Sequence, residues 1–322
     1  MSGLTTRSTA YKPFHYPWAF ELTLKHEELH WLEQEANLID DVSEWKDGTL
    51  SLQEKNHITQ ILRLFTQTDV EVANNYAQMF LATFVNNEIQ SMLLSFGSRE
   101  ATHQRAYALL NDTLGFPDTE YEVFRTYQQM LEKIEFMQAG SYSKKTTPTT
   151  IGVLLAQAVC NEGVSLFSAF AMLLNYQRFG KMKGMCSIVE WSARDESLHA
   201  DGMAELFREY CKEHPGIVND SFKRDIYVTY TNAIALEDAV IDLSFEMGPI
   251  EGLTAEEVKQ FVRYMADRRL VQIGMKPIYH IETNPLPWID WILSGDSFKN
   301  FFEGRVTDYS VNNLIGDWGW DA

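Results

Sequence analysis

The stretch from Ile151 to Leu174, IGVLLAQAVCNEGVSLFSAFAMLL, is apolar almost throughout, yet carries Gln157, Asn161 and Glu162 at its centre. A spanning helix needs about 20 apolar residues, so the run is long enough to cross a bilayer. A lone carboxylate in hydrocarbon is expensive, however, and the run reads instead as a helix buried inside a protein. Glu162 is its only acid. Burying that group without a partner costs several kcal/mol or forces it to stay protonated, so the core around it must offer compensation.

The rest of the chain supplies helices to surround it. Prolines between 51 and 275 are confined to Pro117, Pro148, Pro215 and Pro249, each where a helical pattern has lapsed. Helices are predicted near 17–31, 51–84, 86–115, 119–138, 146–177, 181–212, 217–246 and 255–272, with SLQE at 51–54 opening the second as a capping box. No segment alternates with a period of two, so the fold class is all-α. Residues 1–275 are expected to form one helical domain with an N-terminal arm. From Pro277 onward the pattern changes to Gly, Asn, Asp and aromatics, and 276–322 reads as a tail that meets a partner.

Composition narrows the function. Lys+Arg of 27 against Asp+Glu of 45 gives a formal charge of −18, which repels nucleic acid and anionic membrane surfaces. Cys160, Cys186 and Cys211 are odd in number with no C-x-x-C spacing, and the first twenty residues hold no apolar leader; both features lead to the expectation of a cytoplasmic protein with packing cysteines.

The pattern Glu-x-x-His occurs at Glu27/His30, Glu54/His57, Glu100/His103 and Glu196/His199. The first two lie among charged residues or at a helix start and are expected on solvated faces. The last two sit inside long, well-patterned helices, in REATHQRAY and ARDESLH. Two such helices facing each other bring two carboxylates and two imidazoles into one core. A ferritin-like bundle with a dinuclear metal site requires in addition one carboxylate from each of two other helices. Glu162 meets one requirement. In RLFTQTDVEVANNYAQMF, Asp69 lies on the stripe of Leu62, Phe65, Val72, Tyr76 and Phe80, whereas Glu71 points about 200° away and is expected in solvent. The candidate ligands are therefore Asp69, Glu100, His103, Glu162, Glu196 and His199, an oxygen-rich set with two nitrogens that suits iron or manganese. Tyr107 follows His103 by four residues, on the same helix face, and is the side chain placed to receive an oxidising equivalent.

With these residues in that order, the sequence resembles the small, radical-generating subunit of class I ribonucleotide reductase over essentially its whole length. The resemblance implies a homodimer whose dinuclear centre, di-iron first and di-manganese or manganese–iron as alternatives, reacts with oxygen to form an oxidant, commonly a radical on Tyr107. That oxidant passes to a separate large (alpha) subunit, which reduces ribonucleotides. The resemblance further implies that Trp31 and Asp195 link the metal site to the surface, that Tyr309 hands the radical across the interface, and that NNLIGDWGWDA docks on the large subunit through Trp318 and Trp320. The positions lining the radical tyrosine correspond to Leu166, Phe170 and Ser192; the small polar Ser192 would shorten the life of a Tyr107 radical or leave the oxidant on the metals. The competing expectations are a ligand-binding oxidase on the same scaffold, which has no use for Tyr309 or the tail, and a ferritin-like metal-storage protein, which has none for Tyr107.

Overall fold

A computed structural model describes residues 3–138 and 147–294. Its helices are α1 (Pro17–Glu28), α2 (Ile39–Asp47), α3 (Leu52–Asn75), α4 (Leu81–Thr83), α5 (Asn87–Leu114), α6 (Glu120–Val123), α7 (Gln128–Gln138), α8 (Pro148–Cys160), α9 (Leu166–Leu174), α10 (Lys183–Glu213), α11 (Asp220–Ser244), α12 (Ala255–Gln272) and α13 (Pro287–Ser294). Among the described residues there is no strand, only an isolated bridge between Ile250 and Leu253. The all-α expectation holds.

The long helices begin where side chains satisfy their free N–H groups. Ser51 and Glu54 form the expected capping box on α3. Asn86 accepts from Glu88 and Ile89 at the start of α5, which ends at Gly115 in the left-handed region, φ +87°. The start of α10 is capped from a distance: both oxygens of buried Asp41, on α2, accept from the backbone of Gly184 (2.9 Å) and Met185 (2.6 Å). Helix α2 has no counterpart among the helices predicted from sequence.

Three predicted helices are interrupted: the one near 119–138 breaks at Tyr127, whose backbone is extended, between α6 and α7, and the other two contain π-helical turns. Tyr76–Phe80 and Asn161–Ser165 are π-helical turns, joining α3 to α4 and α8 to α9. Such a turn accommodates one extra residue and re-aims the side chains in it, and the second carries Glu162.

Helices α3, α5, α10 and the α8–α9 rod form the central bundle. Helix α3 packs on α5, α10 on both α8 and α9, and α5 on α10; α1 lies across α5 and α10, and α11 and α12 cover the α8–α9 side. The apolar stretch within Pro148–Phe179 is 94% buried, which accounts for its hydropathy without a membrane. The helical unit runs to Leu286, beyond the expected limit at 275, because the Asp267 carboxylate accepts from the backbone of Ile278, Tyr279 and Ile281 and ties that segment to α12. Residues 287–322 form a second unit, of which α13 is described. Tyr309, Trp318 and Trp320 lie outside the described residues.

Candidate metal centre

Each helix of the central bundle contributes to one buried cluster. Asp69 comes from α3, Glu100 and His103 from α5, Glu162 from the π-turn after α8, and Glu196 and His199 from α10. All six are 2% exposed or less, so no candidate ligand faces solvent. Two groups of ligand atoms converge within metal-binding distance, Asp69 with Glu100 and His103, and Glu100 with Glu162, Glu196 and His199. Glu100 belongs to both. Its Oε1 lies 3.0 Å from His199 Nδ1 and its Oε2 lies 3.5 Å from His103 Nδ1. Glu196 likewise reaches His103 Nδ1 at 3.2 Å and His199 Nδ1 at 3.4 Å. Glu162 Oε2 stands 3.4 Å from His199. The Glu-x-x-His spacing explains this arrangement, since residues three apart on a helix share a face.

The electrostatics fit divalent cations. Asp69 Oδ2, both carboxylate oxygens of Glu100 and of Glu196, and His199 Nδ1 are buried with no hydrogen-bond partner of good geometry. Orphaned polar atoms are rare in a folded core, and a cluster of them around one point marks a place shaped for an ion. Arg99, the guanidinium beside this set, is engaged instead by Asp195 and by the Leu29 carbonyl. Burial raises the Asp69 carboxyl well above the usual range and pushes Glu162 up to about 7. At Glu100 burial acts in the same direction, but hydrogen bonds and charge from His103 and His199 outweigh it and hold the group at about 2. Burial disfavours the charged form of both imidazoles, yet the surrounding carboxylates raise both well above the ordinary histidine value. Such avidity for positive charge reflects an excess of negative charge that two divalent ions would neutralise.

The outward nitrogens of both imidazoles are also held. His103 Nε2 lies 3.2 Å from Asp195 Oδ2, and the same oxygen accepts from the Trp31 indole at 2.7 Å. Trp31 is 1% exposed and stacks on His103 at 5.8 Å between ring centroids. His199 Nε2 lies 3.1 Å from Nε2 of His26. On the other side, the Tyr107 ring meets Phe65 edge-on at 4.3 Å, and Phe65 meets Phe170 at 5.4 Å. The Tyr107 hydroxyl has no hydrogen-bond partner of good geometry; burial, with the Asp69 charge second, raises its pKa and keeps the phenol protonated. Ser192 is buried and donates to the Ile188 carbonyl at 3.0 Å, so its hydroxyl is satisfied within its own helix.

A family model described as "Ribonucleotide reductase, small chain" matches residues 8–285. The chain belongs to the ribonucleotide reductase small-chain family. It is 39% identical over 328 residues to the "Probable ribonucleoside-diphosphate reductase small subunit 048L" of Invertebrate iridescent virus 3, covering 97% of this chain and 87% of that protein. It is 29% identical over 321 residues to the ribonucleoside-diphosphate reductase subunit beta of Chlamydia pneumoniae, covering 96% and 91%. The fold matches the ribonucleotide reductase R2 subunit from Clostridium botulinum with a TM-score of 0.83 at 22% identity, over 90% of this chain and 92% of that one.

Within this small-chain fold several sequence expectations need correction. Glu71 is buried, 6% exposed: Gln138 donates to it across the contact of α3 with α7, and Gln67, one turn earlier on α3, donates as well. Glu54 and His57 are also buried: Glu54 pairs with Lys181 at 2.7 Å, and His57 meets the Tyr176 hydroxyl at 3.1 Å. Glu27 and His30 are exposed, as expected. Trp31 follows α1 in an irregular segment rather than lying on it, and this frees its indole to turn toward Asp195. Sequence reasoning missed Tyr76, whose hydroxyl donates to Glu162 at 2.6 Å from the first π-turn, and His26. The available signal for His26 was its place seven residues after Ala19, on the buried face of α1.

Proposed function

We propose that this chain is the radical-generating subunit of a class I ribonucleotide reductase, with Asp69, Glu100 and His103 holding one metal ion and Glu162, Glu196 and His199 the other. The observation that carries the reading is the six-residue cluster in which Glu100 is common to both groups and Glu196 faces both imidazoles. When bound, the metal pair supplies oxygen activation and a one-electron oxidant. Iron in both positions is the first expectation, with di-manganese and manganese–iron as alternatives, because the donors are hard oxygens with one imidazole per ion.

The chain's own residues confine and direct that chemistry. Tyr107 is a neutral phenol held in an aromatic pocket beside Asp69 and is the donor that becomes the stored radical. His103, Asp195 and Trp31 form a continuous hydrogen-bonded path out of the cluster. Burial raises the Asp195 carboxyl, but the hydrogen bond to His103 and the charges of His103 and Arg99 outweigh it and hold the group at about 2, so it accepts from both neighbours as a carboxylate. Tyr309 is the proposed exit of the path, and the tail with Trp318 and Trp320 the proposed docking segment for a large subunit. A homodimer in the cytoplasm, with neither nucleic acid nor membrane as partner, completes the reading.

The test is ribonucleoside-diphosphate reduction by the metal-loaded protein with its large subunit. Turnover that requires both metal and the large subunit supports the reading; oxidation of a small molecule by this chain alone contradicts it.

A further inference from the structure

We propose that His26, backed by Ser95 and Glu27, is a positioning residue that fixes the proton of His199 and makes the two metal sites unequal in affinity. This deepens the metal-site reading above and rests on it.

The direction of every bond in the chain follows from its two ends. His199 turns Nδ1 toward Glu100, Glu162 and Glu196 at 3.0–3.4 Å and Nε2 away from them, so a metal held among those carboxylates would take the Nδ1 lone pair and leave the ring proton on Nε2. That Nε2–H points at His26 Nε2, 3.1 Å away, which must accept and therefore carries no proton. The His26 proton is then on Nδ1, 2.7 Å from Ser95 Oγ, to which it donates. The Ser95 hydroxyl in turn donates to Glu27 Oε1, on the solvent side of α1, and a carboxylate can only accept. Reversing the bond between His26 and His199 would put the proton of the neutral His199 ring on Nδ1 and remove the metal's lone pair. Phe96 packs against both rings, 5.1 Å from His26 and 4.4 Å from His199, so neither imidazole is free to turn. His26 is fully buried, and Ser95 and His199 supply its hydrogen bonds.

The two imidazoles thus differ in what stands behind them. His103 donates to Asp195, a buried carboxylate, whereas His199 donates to a neutral imidazole. A charged acceptor makes the donating ring the stronger base and the stronger ligand. The His103 imidazole is therefore the stronger donor of the two, and the hold of His199 on its ion depends on His26.

The experiment is a manganese(II) titration of the metal-free full-length protein, with bound metal counted and followed by low-temperature electron paramagnetic resonance. Wild type is expected to bind two ions per chain with separable constants. His26→Phe, which keeps an aromatic ring but removes the acceptor, weakens one site on the order of 10–100-fold and leaves the other unchanged, so an uncoupled mononuclear manganese signal persists at two equivalents. His26→Gln, whose amide oxygen accepts from His199, restores coupled binding. Ser95→Ala shifts the same site in the same direction by less, and decides the matter if His26→Phe does not fold. Equal weakening of both sites, or unchanged constants in these variants, would overturn the inference alone. Failure of wild type to bind manganese at all would overturn the metal-site reading and this inference with it.

Discussion

The Trp31 indole donates to Asp195 Oδ2 at 2.7 Å, and that oxygen also meets the imidazole of His103, so one carboxylate atom joins a histidine of the buried carboxylate–histidine cluster to a tryptophan beyond it. Trp31→Phe keeps the stacking surface over His103 and removes the donor. Metal content is expected to match wild type while turnover with the large subunit falls by about 100-fold. Unchanged turnover would remove Trp31 from the path.

Glu162→Ala removes a carboxylate from the group that contains His199 and leaves Asp69, Glu100 and His103 in place. The count of tightly bound metal should drop from two per chain to one. Metal should also stabilise the wild-type fold, by about 2.7 kcal/mol per site at a free concentration of 100 Kd, with chelation reversing the gain. Thermal melts with and without a chelator measure both effects.

His57 gives a pH dependence separate from the metal site. Burial lowers its pKa from 6.5 to about 3. Between those values the unfolded chain binds a proton that the folded chain does not. The His57 contribution is therefore complete above pH 6.5 and is lost as pH falls toward 3. From pH 7 to pH 5 that loss is about 2 kcal/mol. His57→Phe, whose ring would still meet Phe245, should lose about that much less stability over the same interval in denaturant titrations.

Gly202 lies on α10 where a Cβ would stand 2.8 Å from both Leu22 of α1 and the Phe96 ring. Gly202→Ala should push α1 away from α10 at a cost of about 1–3 kcal/mol in unfolding free energy. Because α1 carries His26, the same variant should weaken manganese binding at the His199 site more than at the His103 site.

The convergence of the six carboxylate and histidine side chains was legible because helical spacing converts directly into geometry. The Glu100/His103 and Glu196/His199 pairs follow from residues three apart, Glu162 from its isolation in an apolar run, and Asp69 from its place on a stripe. What escaped depends on contacts between distant segments. Glu71 is buried where Gln138 of α7 reaches across to donate to it, a contact that periodicity on one helix cannot carry. The π-turns at Tyr76–Phe80 and Asn161–Ser165 differ from α-helix by one residue of register and leave no composition signal. His26 was hidden behind the neighbouring Glu27/His30 motif, which faces solvent, although His26 is the histidine that reaches the cluster.

The most direct test of the account is the low-temperature electron paramagnetic resonance spectrum of protein loaded with iron or manganese under oxygen, with metal counted on the same sample. The account predicts two metal ions per chain and a tyrosyl radical signal that disappears in Tyr107→Phe while the metal count stays at two. Two bound metals with an unchanged radical signal in Tyr107→Phe, or a wild-type chain that binds no metal, would contradict it.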